Sequence, residues 1–443
     1  MREQPVCTIL VPEACISSSS YDFTKGHYQI LLCAGTLEWK PLSLVRNSRF
    51  IIFNARLSAT NFGYTLYMIT VPAYAFVLTN SILFTGLSLF VEYGIYAMTF
   101  WAGPITDRVR DKRYLISISE AGIAVASLLL AWLMHSGNVD RYVFLLLLGV
   151  IAVFWDVIWT ADHSVLPLIV RDEELARANG ITNAIGSGHV AAGLAVGGFL
   201  FAFVGAYGSM ILYAGSMLIA TVLTLMLPLV IPEEDRNLKP DFLSGWSYIF
   251  RNNRNLLKLA IVVGIFSVFA NVPILSMAGI FAENFPLLYS ASFSLFYIGA
   301  MISGLVVGRH FPYRHMGRTL IATYILSGIT MVIAALNSFA PAMDIIFWFL
   351  LGFFFSVHTT LNTVYLQKVT VKEMLGRTAS NLYTFRGATT AFGSIMLPLL
   401  MEWHGIIWIT EISGIVMTVG AALIFAISPS IARLGVDIGF TEN

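Results

Sequence analysis

Residues 101–116 read WAGPITDRVRDKRYLI and separate two long apolar segments. The part from Gly103 to Arg113 carries six charged side chains, namely Asp107, Arg108, Arg110, Asp111, Lys112 and Arg113. Charges are costly in hydrocarbon unless they are paired or hydrated. The stretch therefore predicts a short aqueous loop between two helices that cross a membrane.

The composition of the whole chain favours a helical membrane protein. Of its 443 residues, 57% are hydrophobic and 12% are charged, about half the charged fraction of a soluble domain. A net charge of +1 offers no basic surface for nucleic acid. The cysteines favour neither a disulfide framework nor a zinc site, and we predict no metal and no cofactor. They are Cys7, Cys15 and Cys33.

The first 45 residues form a polar extension of mixed character. They lack the basic start, apolar stretch and cleavage site that a signal peptide shows in sequence. Disorder and a misassigned start codon both explain such an extension, and we assign it no function.

The apolar segments predict an all-α membrane protein with twelve transmembrane helices. A helix needs about 20 apolar residues to cross a hydrocarbon core of ~30 Å. The segments that qualify lie near 49–77, 81–102, 114–136, 141–168, 179–204, 208–231, 256–284, 289–308, 318–337, 342–369, 379–403 and 405–427.

The lysines and arginines predict the orientation of these spans. On one side, the connections hold only Arg141. The other side, which we call the basic side, holds Arg108, Arg110, Lys112, Arg113, Arg171, Arg177, Arg236, Lys239, Arg251, Arg254, Lys258, Arg309, Arg314, Arg318, Lys368, Lys372, Arg377 and Arg433. Since basic loops stay in the cytoplasm, we expect both termini to be cytoplasmic, in a multi-pass protein of the inner (plasma) membrane.

The chain divides into two related halves. The long connection 232–255 separates bundles predicted over 46–231 and 256–428, and 429–443 is a cytoplasmic tail. Apolar residues at helical spacing in this connection predict a short helix at the membrane interface. A shift of 200 aligns VRDEELARAN, which begins at Val170, with TVKEMLGRTA, and a shift of 201 relates Gly103 to Gly304. Two separate loops match their counterparts in the other half at nearly the same shift, which indicates a duplicated six-span unit.

The loop GPITDRVRDKR resembles a motif of the major facilitator superfamily, in which Asp-Arg and a basic cluster follow a glycine. The segments RNSRFIIFNARLSATNFGY, SVLPLIVRDEELARANG and LQKVTVKEMLGRTASNLYTFRG resemble the branch of bacterial exporters that includes enterobactin exporters and macrolide efflux proteins. GLAVGG is similar to the glycine-rich segment of antiporters in span five, although Leu194 replaces the usual proline. The resemblance covers about 46–428. It implies two six-helix bundles that work by alternating access.

The charged loop has the residues of a conformational latch. A small Gly103 lets helix ends approach closely, and Asp107 can accept hydrogen bonds from a helix N-terminus or an arginine. The alternative is plain topology, in which any basic loop holds its side in the cytoplasm. In the second half, Gly308 replaces the aspartate and predicts a weaker latch. The predicted latch residues are Gly103, Asp107, Arg108, Arg113, Arg177 and Arg377.

Ionisable residues within spans are candidates for functional sites, because a charge near mid-bilayer costs a few kcal/mol unless it is paired or hydrated. Glu92 and Asp156 lie deepest, and with Asp162 they are the proton-coupling candidates. Arg56 and Asp162 lie at similar depth, so we expect a pair that holds spans one and four together. Glu120, nearer the basic side, is expected to bind the loop after span two.

A second set of side chains is predicted to pair with these charges or to bind substrate. Arg386 can pair with Asp156, with Glu92 or with an anionic substrate. The buried histidines are expected to be satisfied polar groups rather than proton relays. The members of the set are Arg56, Arg386, His163, Tyr64, Trp159 and Asn271. Pro72 and Pro273, one repeat apart, predict helix kinks at equivalent places.

These features together predict a secondary active transporter that exports a small organic molecule, such as a siderophore or drug-like amphiphile, in exchange for protons. The direction comes from the resemblance. No GxxxxGK[ST] loop and no HExxH helix occurs, so neither an ATPase nor an enzyme is expected. An importer or facilitator of a nutrient, metal complex or lysolipid is the alternative, and a receptor is a third. The expected form is a monomer in the bilayer.

Overall fold

The computed structural model describes residues 47–98, 109, 111–170, 172–227, 244–252, 254–282, 285–310, 315–336, 341–370 and 372–427. Nearly all of these residues are helical, and none of them is in a strand. The predicted extension 1–45, the tail 429–443 and most of the loop after span two lie outside this part of the chain.

The described helices follow the predicted spans within a few residues at most ends. Spans one to four are Ser48–Thr79, Ile82–Tyr96, Lys112–Ser136 and Arg141–Ile169. Spans five and six lie within Asp172–Leu225, and span seven consists of Arg254–Ser267 and Val272–Phe281. Spans eight to twelve are Pro286–His310, Met316–Leu336, Pro341–Val369, Lys372–His404 and Ile406–Ile427.

The length and composition of these helices suit a membrane. In the described part of the chain, 8 helices are long and apolar enough to cross a bilayer. Ile82–Tyr96 and Leu287–Ser303 are shorter apolar helices that complete the pattern. The protein is thus an all-α membrane protein of twelve spans, as the sequence predicts.

The two halves carry different interruptions. Gly205 has φ 66° and ψ −172°, which separates spans five and six where the sequence predicts a connection. Span one continues as a helix through Pro72. Span seven is interrupted at 268–271, just before Pro273. The prolines are thus one repeat apart, but only the second half has a broken helix.

Helix lengths agree with the predicted repeat. Span four begins at Arg141 and ends at Ile169, whereas span ten begins at Pro341 and ends at Val369, a shift of 200 at both ends. The next helix begins at Asp172 in the first half and at Lys372 in the second, with the same shift.

The connection between the halves contains the predicted short helix, which spans Ser244–Asn252. Ile249 is fully buried. The Trp246 ring meets the Phe385 ring of span eleven edge-on, with centroids 5.9 Å apart. The helix is therefore packed against the second half by its apolar side chains.

Several hydrogen bonds join the halves on the side opposite the basic loops. Tyr289 of span eight donates a hydrogen bond to the Ile69 carbonyl of span one, at 2.7 Å. Glu402, at the end of span eleven, accepts hydrogen bonds from the Ser81 hydroxyl and the Leu83 amide at the start of span two. In the described residues, the bundle is thus closed on the side opposite the basic loops.

Candidate functional site

A buried charge cluster joins four spans of the first half. Arg56 of span one bonds through Nε to Glu120 Oε1 of span three, at 2.7 Å, and through Nη1 to Asp162 Oδ1 of span four, at 2.5 Å. Thr224 of span six donates to the second oxygen of Glu120, at 2.7 Å. The Arg56 and Glu120 side chains are 1% and 0% exposed.

This cluster confirms the predicted contact between Arg56 and Asp162. Both oxygens of Glu120 are bonded to side chains of other helices, and most of the loop after span two, its expected partner, lies outside the described residues. A carboxylate with such partners has an evident structural role. The coupling role of Asp162 stays a prediction.

Glu92 lies in a second, aromatic environment. The Tyr64 hydroxyl of span one donates to Glu92 Oε1 at 2.6 Å. The Tyr64 ring stacks on Trp155 of span four, with centroids 4.5 Å apart and planes 8° from parallel. Tyr64 therefore holds the carboxylate while its ring is fixed by span four.

The remaining candidates of span four differ in their surroundings. Asp156 is 7% exposed, whereas Trp159 is 45% exposed, so only the carboxylate is buried within the bundle. His163 lies in the helix of span four, but its side chain falls outside the described residues.

Two tyrosines of span two lie near ionisable groups from both halves. Tyr93 lies within electrostatic range of both Glu92 and Arg386. Tyr96 lies within range of both Asp156 and Arg386. We call Tyr93 and Tyr96 the tyrosine layer. The carboxylates come from the first half and the guanidinium comes from the second.

Arg386 lines a pocket between spans seven, ten and eleven. The pairing expected with Asp156 or Glu92 is not observed, since Arg386 forms no ion pair with any carboxylate of the described residues. The pocket is lined by Leu256, Leu259, Ala260, Val263, Thr359, Asn362, Thr363, Leu366, Leu382, Tyr383, Phe385 and Arg386. It lies in the half of the membrane nearer the basic side.

Asn271 has a structural partner rather than a place in this pocket. It is 3% exposed and its Nδ2 donates to Ser394 Oγ of span eleven, at 2.8 Å. The residue lies at the interruption of span seven, so the bond attaches that interruption to span eleven.

The latch residues are only partly described. Gly103, Asp107 and Arg108 lie outside the described residues, and so do the side chains of Arg177 and Arg377. Arg113 bonds to Asp111 through Nε and Nη2, the shorter contact being 2.7 Å, and donates through Nη1 to the Leu227 carbonyl after span six. Arg113 thus links the beginning of span three to the end of span six.

Asp111 also caps span three, and its loss has a predictable cost. Its side chain accepts a hydrogen bond from the Arg113 amide at 3.1 Å. We expect Asp111→Ala to lower the free energy of unfolding by about 1 kcal/mol because the cap is lost. Asp111→Asn should cost less, because asparagine caps equally well. Thermal unfolding in detergent measures both, and equal losses would contradict a capping role.

The Asp111 carboxylate also makes the stability of the protein depend on pH, and the sign of that dependence can be stated. Its hydrogen bond from Arg113 lowers the pKa of Asp111 below the ordinary value of 3.8. The stabilisation is therefore present above the unfolded pKa and is lost as the pH falls through the lower folded value. The pair is partly exposed, so the contribution is at most about 1 kcal/mol.

Some residues around the pocket carry a sequence signal other than charge. His358 of span ten stacks on Tyr324 of span nine, with ring centroids 4.2 Å apart. Asn362, one helical turn after His358, donates to the Tyr324 hydroxyl at 3.2 Å. An amide one turn from a histidine, in an apolar span, could have marked this face as polar.

Solved structures with the same fold are membrane transporters. A structure of the nucleoside transporter NupG has a TM-score of 0.67 at 13% identity and covers 86% of this chain and 98% of its own. A POT family transporter in complex with 5-aminolevulinic acid has a TM-score of 0.65 at 12% identity, covering 86% and 96%. A bacterial homolog of the human lysosomal transporter Spinster, in an inward-facing and unoccupied conformation, has a TM-score of 0.58 at 10% identity. It covers 87% of this chain and 96% of its own. No curated protein sequence matches the chain.

Two bundles of six spans form the architecture of a membrane transporter fold. The family model for the Major Facilitator Superfamily matches residues 50–394. The chain therefore belongs to the Major Facilitator Superfamily.

Proposed function

We propose that this protein is a proton-coupled secondary transporter that exports a small organic molecule by alternating access. The observation that supports it is that the first half holds two carboxylates within its spans, Glu92 bonded to Tyr64 and the buried Asp156, while Arg386 lines a pocket of the second half. A carboxylate that is exposed to one side and then to the other can carry a proton across. A charge of the opposite sign nearby makes its protonation depend on what else is bound.

The closed face supports loading from the cytoplasm. Contacts such as Tyr289 to Ile69 join the halves on the side opposite the basic loops. We take the basic side as cytoplasmic, with both termini there and the protein in the inner membrane. The Arg386 pocket lies toward this side. An exporter must accept its substrate from that side.

The latch belongs to the same proposal. Gly103, Asp107 and Arg108 would hold the basic side closed in the opposite state, and Arg177 and Arg377 would contribute from equivalent positions after spans four and ten. The bond from Arg113 to the end of span six supports a loop that is anchored within the first half.

Loss of the deep carboxylates should remove coupling but not binding. We expect Asp156→Asn and Glu92→Gln to reduce proton-driven transport at least about tenfold, since a group with no exchangeable proton cannot carry one. Exchange of substrate across vesicles without a pH gradient should persist. The measurement uses proteoliposomes and the compound that most stabilises the purified protein in a thermal-shift screen.

A matched control separates coupling from general loss of charge. Asp140→Asn removes an exposed carboxylate and keeps the helix cap, so transport should be unchanged. Full proton-driven transport by both deep variants would refute the coupling assignment. Accumulation in inverted vesicles indicates export. Accumulation only in right-side-out vesicles would favour the importer, and equilibration that ignores the pH gradient would favour the facilitator.

A further inference from the structure

The pocket between spans seven, ten and eleven has walls of unequal character. Span seven contributes only apolar side chains, namely Leu256, Leu259, Ala260 and Val263. Spans ten and eleven contribute the polar groups, namely Thr359, Asn362, Thr363, Tyr383 and Arg386. A ligand that fits both walls has an apolar body and a polar end.

Arg386 determines which charge on the polar end of the ligand is favoured. Its guanidinium is permanently positive and has five N–H donors. No carboxylate of the described residues forms an ion pair with it. A positive group in a mostly apolar pocket is stabilised by an anionic ligand, and oxygen anions match the geometry of its donors.

Asn362 adds a second requirement for the ligand, namely a hydrogen-bond donor. Its Nδ2 is used by the Tyr324 hydroxyl, at 3.2 Å. Its Oδ1 is buried and has no hydrogen-bond donor among the described residues. A buried carbonyl oxygen without a donor is costly, so a ligand that brings an O–H or N–H group gains binding energy there.

The two threonines of span ten that line the pocket do not supply a hydrogen-bond donor for the ligand or for Asn362. The Thr359 and Thr363 hydroxyls donate to backbone carbonyls within their own helix. Their hydrogens are therefore occupied, and they cannot donate to an anion in place of Arg386 or to Asn362 Oδ1.

We propose that this pocket binds the acidic end of the transported molecule, an amphiphile with an anionic oxygen for Arg386 and a hydrogen-bond donor beside it for Asn362. This inference rests on the proposed function for the statement that the bound molecule is transported. It also fits export, since a membrane potential that is negative inside favours the exit of an anion. Hydroxy acids and phenolic acids, which carry a carboxylate and a hydroxyl, have this chemistry.

Three small probes separate the two requirements. 3-Phenyllactate has the anion, the adjacent hydroxyl and an apolar ring, 3-phenyllactamide lacks the charge, and 3-phenylpropionate lacks the hydroxyl. Binding is measured by calorimetry on the full chain in nanodiscs, with empty nanodiscs subtracted. We expect phenyllactate to bind most tightly and each of the others to bind about tenfold more weakly.

Variants assign the differences to residues. Arg386→Gln should weaken phenyllactate roughly ten- to hundredfold, as for the loss of a charged hydrogen bond, and should abolish the preference for the acid over the amide. Asn362→Leu should abolish the preference for phenyllactate over phenylpropionate. Arg318→Gln removes an equal charge at an exposed position and should change nothing.

Each outcome decides the proposal. Equal binding of acid and amide, unchanged binding by Arg386→Gln, or no binding of phenyllactate at millimolar concentration would overturn it. If the binding pattern holds but vesicles show uptake or no transport, the proposed export fails and the anion site stands. If export is observed but only neutral compounds bind, the anion site fails and the export stands.

Discussion

Replacement of Arg56 by methionine should lower the free energy of unfolding by about 3–5 kcal/mol, the cost of breaking a buried ion pair. The variant keeps most of the side-chain volume and removes the charge. Glu120, which is 0% exposed, and Asp162, which is 15% exposed, would then lose their common partner. Two carboxylates that share one guanidinium would also repel each other without it.

The size of this destabilisation depends on which charges remain in the cluster. A triple variant, Arg56→Met with Glu120→Gln and Asp162→Asn, removes all three charges. It should be markedly more stable than Arg56→Met alone, because the penalty comes chiefly from buried carboxylates that have lost their guanidinium. Thermal and denaturant unfolding in detergent measure both, with Arg318→Gln as the single-charge control. Equal destabilisation by the single and triple variants would show that the cluster acts by packing rather than by charge.

Replacement of Gly198 by valine should prevent the halves from closing on the side opposite the basic loops. An added Cβ at Gly198 of span five would overlap the Ser290 carbonyl and the Ser294 hydroxyl of span eight. Backbone cannot move aside as a flexible side chain can. Overpacking of this kind costs about 1–3 kcal/mol, so the closed population should fall roughly five- to hundredfold.

Spin labels report this change directly. With the three native cysteines replaced by serine, cysteines at the exposed positions Phe203 and Leu287 label spans five and eight on the side opposite the basic loops. The distance between the labels should lengthen in Gly198→Val relative to the parent protein, and transport should fall with it. Gly215→Val is the control, because an added Cβ there meets nothing within 4 Å. An unchanged distance in Gly198→Val would show that the crossing tolerates a side chain.

Depth in the membrane could be predicted from the sequence, whereas direction around a helix could not. Counting turns from the basic side places Arg56 and Asp162 at one level, and they form an ion pair at 2.5 Å. The same count did not predict that Glu120 joins this pair, because hydropathy in an apolar span does not reveal which face is turned inward. Its actual partners, Arg56 and Thr224, lie on that face.

The second half was harder to predict because its polar residues resemble ordinary packing. Tyr324 and Asn362 bear no charge, so neither was expected at a site, although both lie next to the Arg386 pocket. Asn271, predicted to pair with a charge or to bind substrate, donates to Ser394, and its role toward substrate stays a prediction. A buried amide has partners of several kinds, and sequence spacing does not choose among them.

The interruption at 268–271 places the Val268 carbonyl against Gly393 of span eleven, where any added Cβ would overlap it. Position 393 therefore admits no side chain, even though it contributes nothing to the lining of the Arg386 pocket. Under the proposed function, substitutions in the apolar wall of that pocket would change which molecules fit, whereas Gly393 constrains how spans seven and eleven pack whatever molecule is bound.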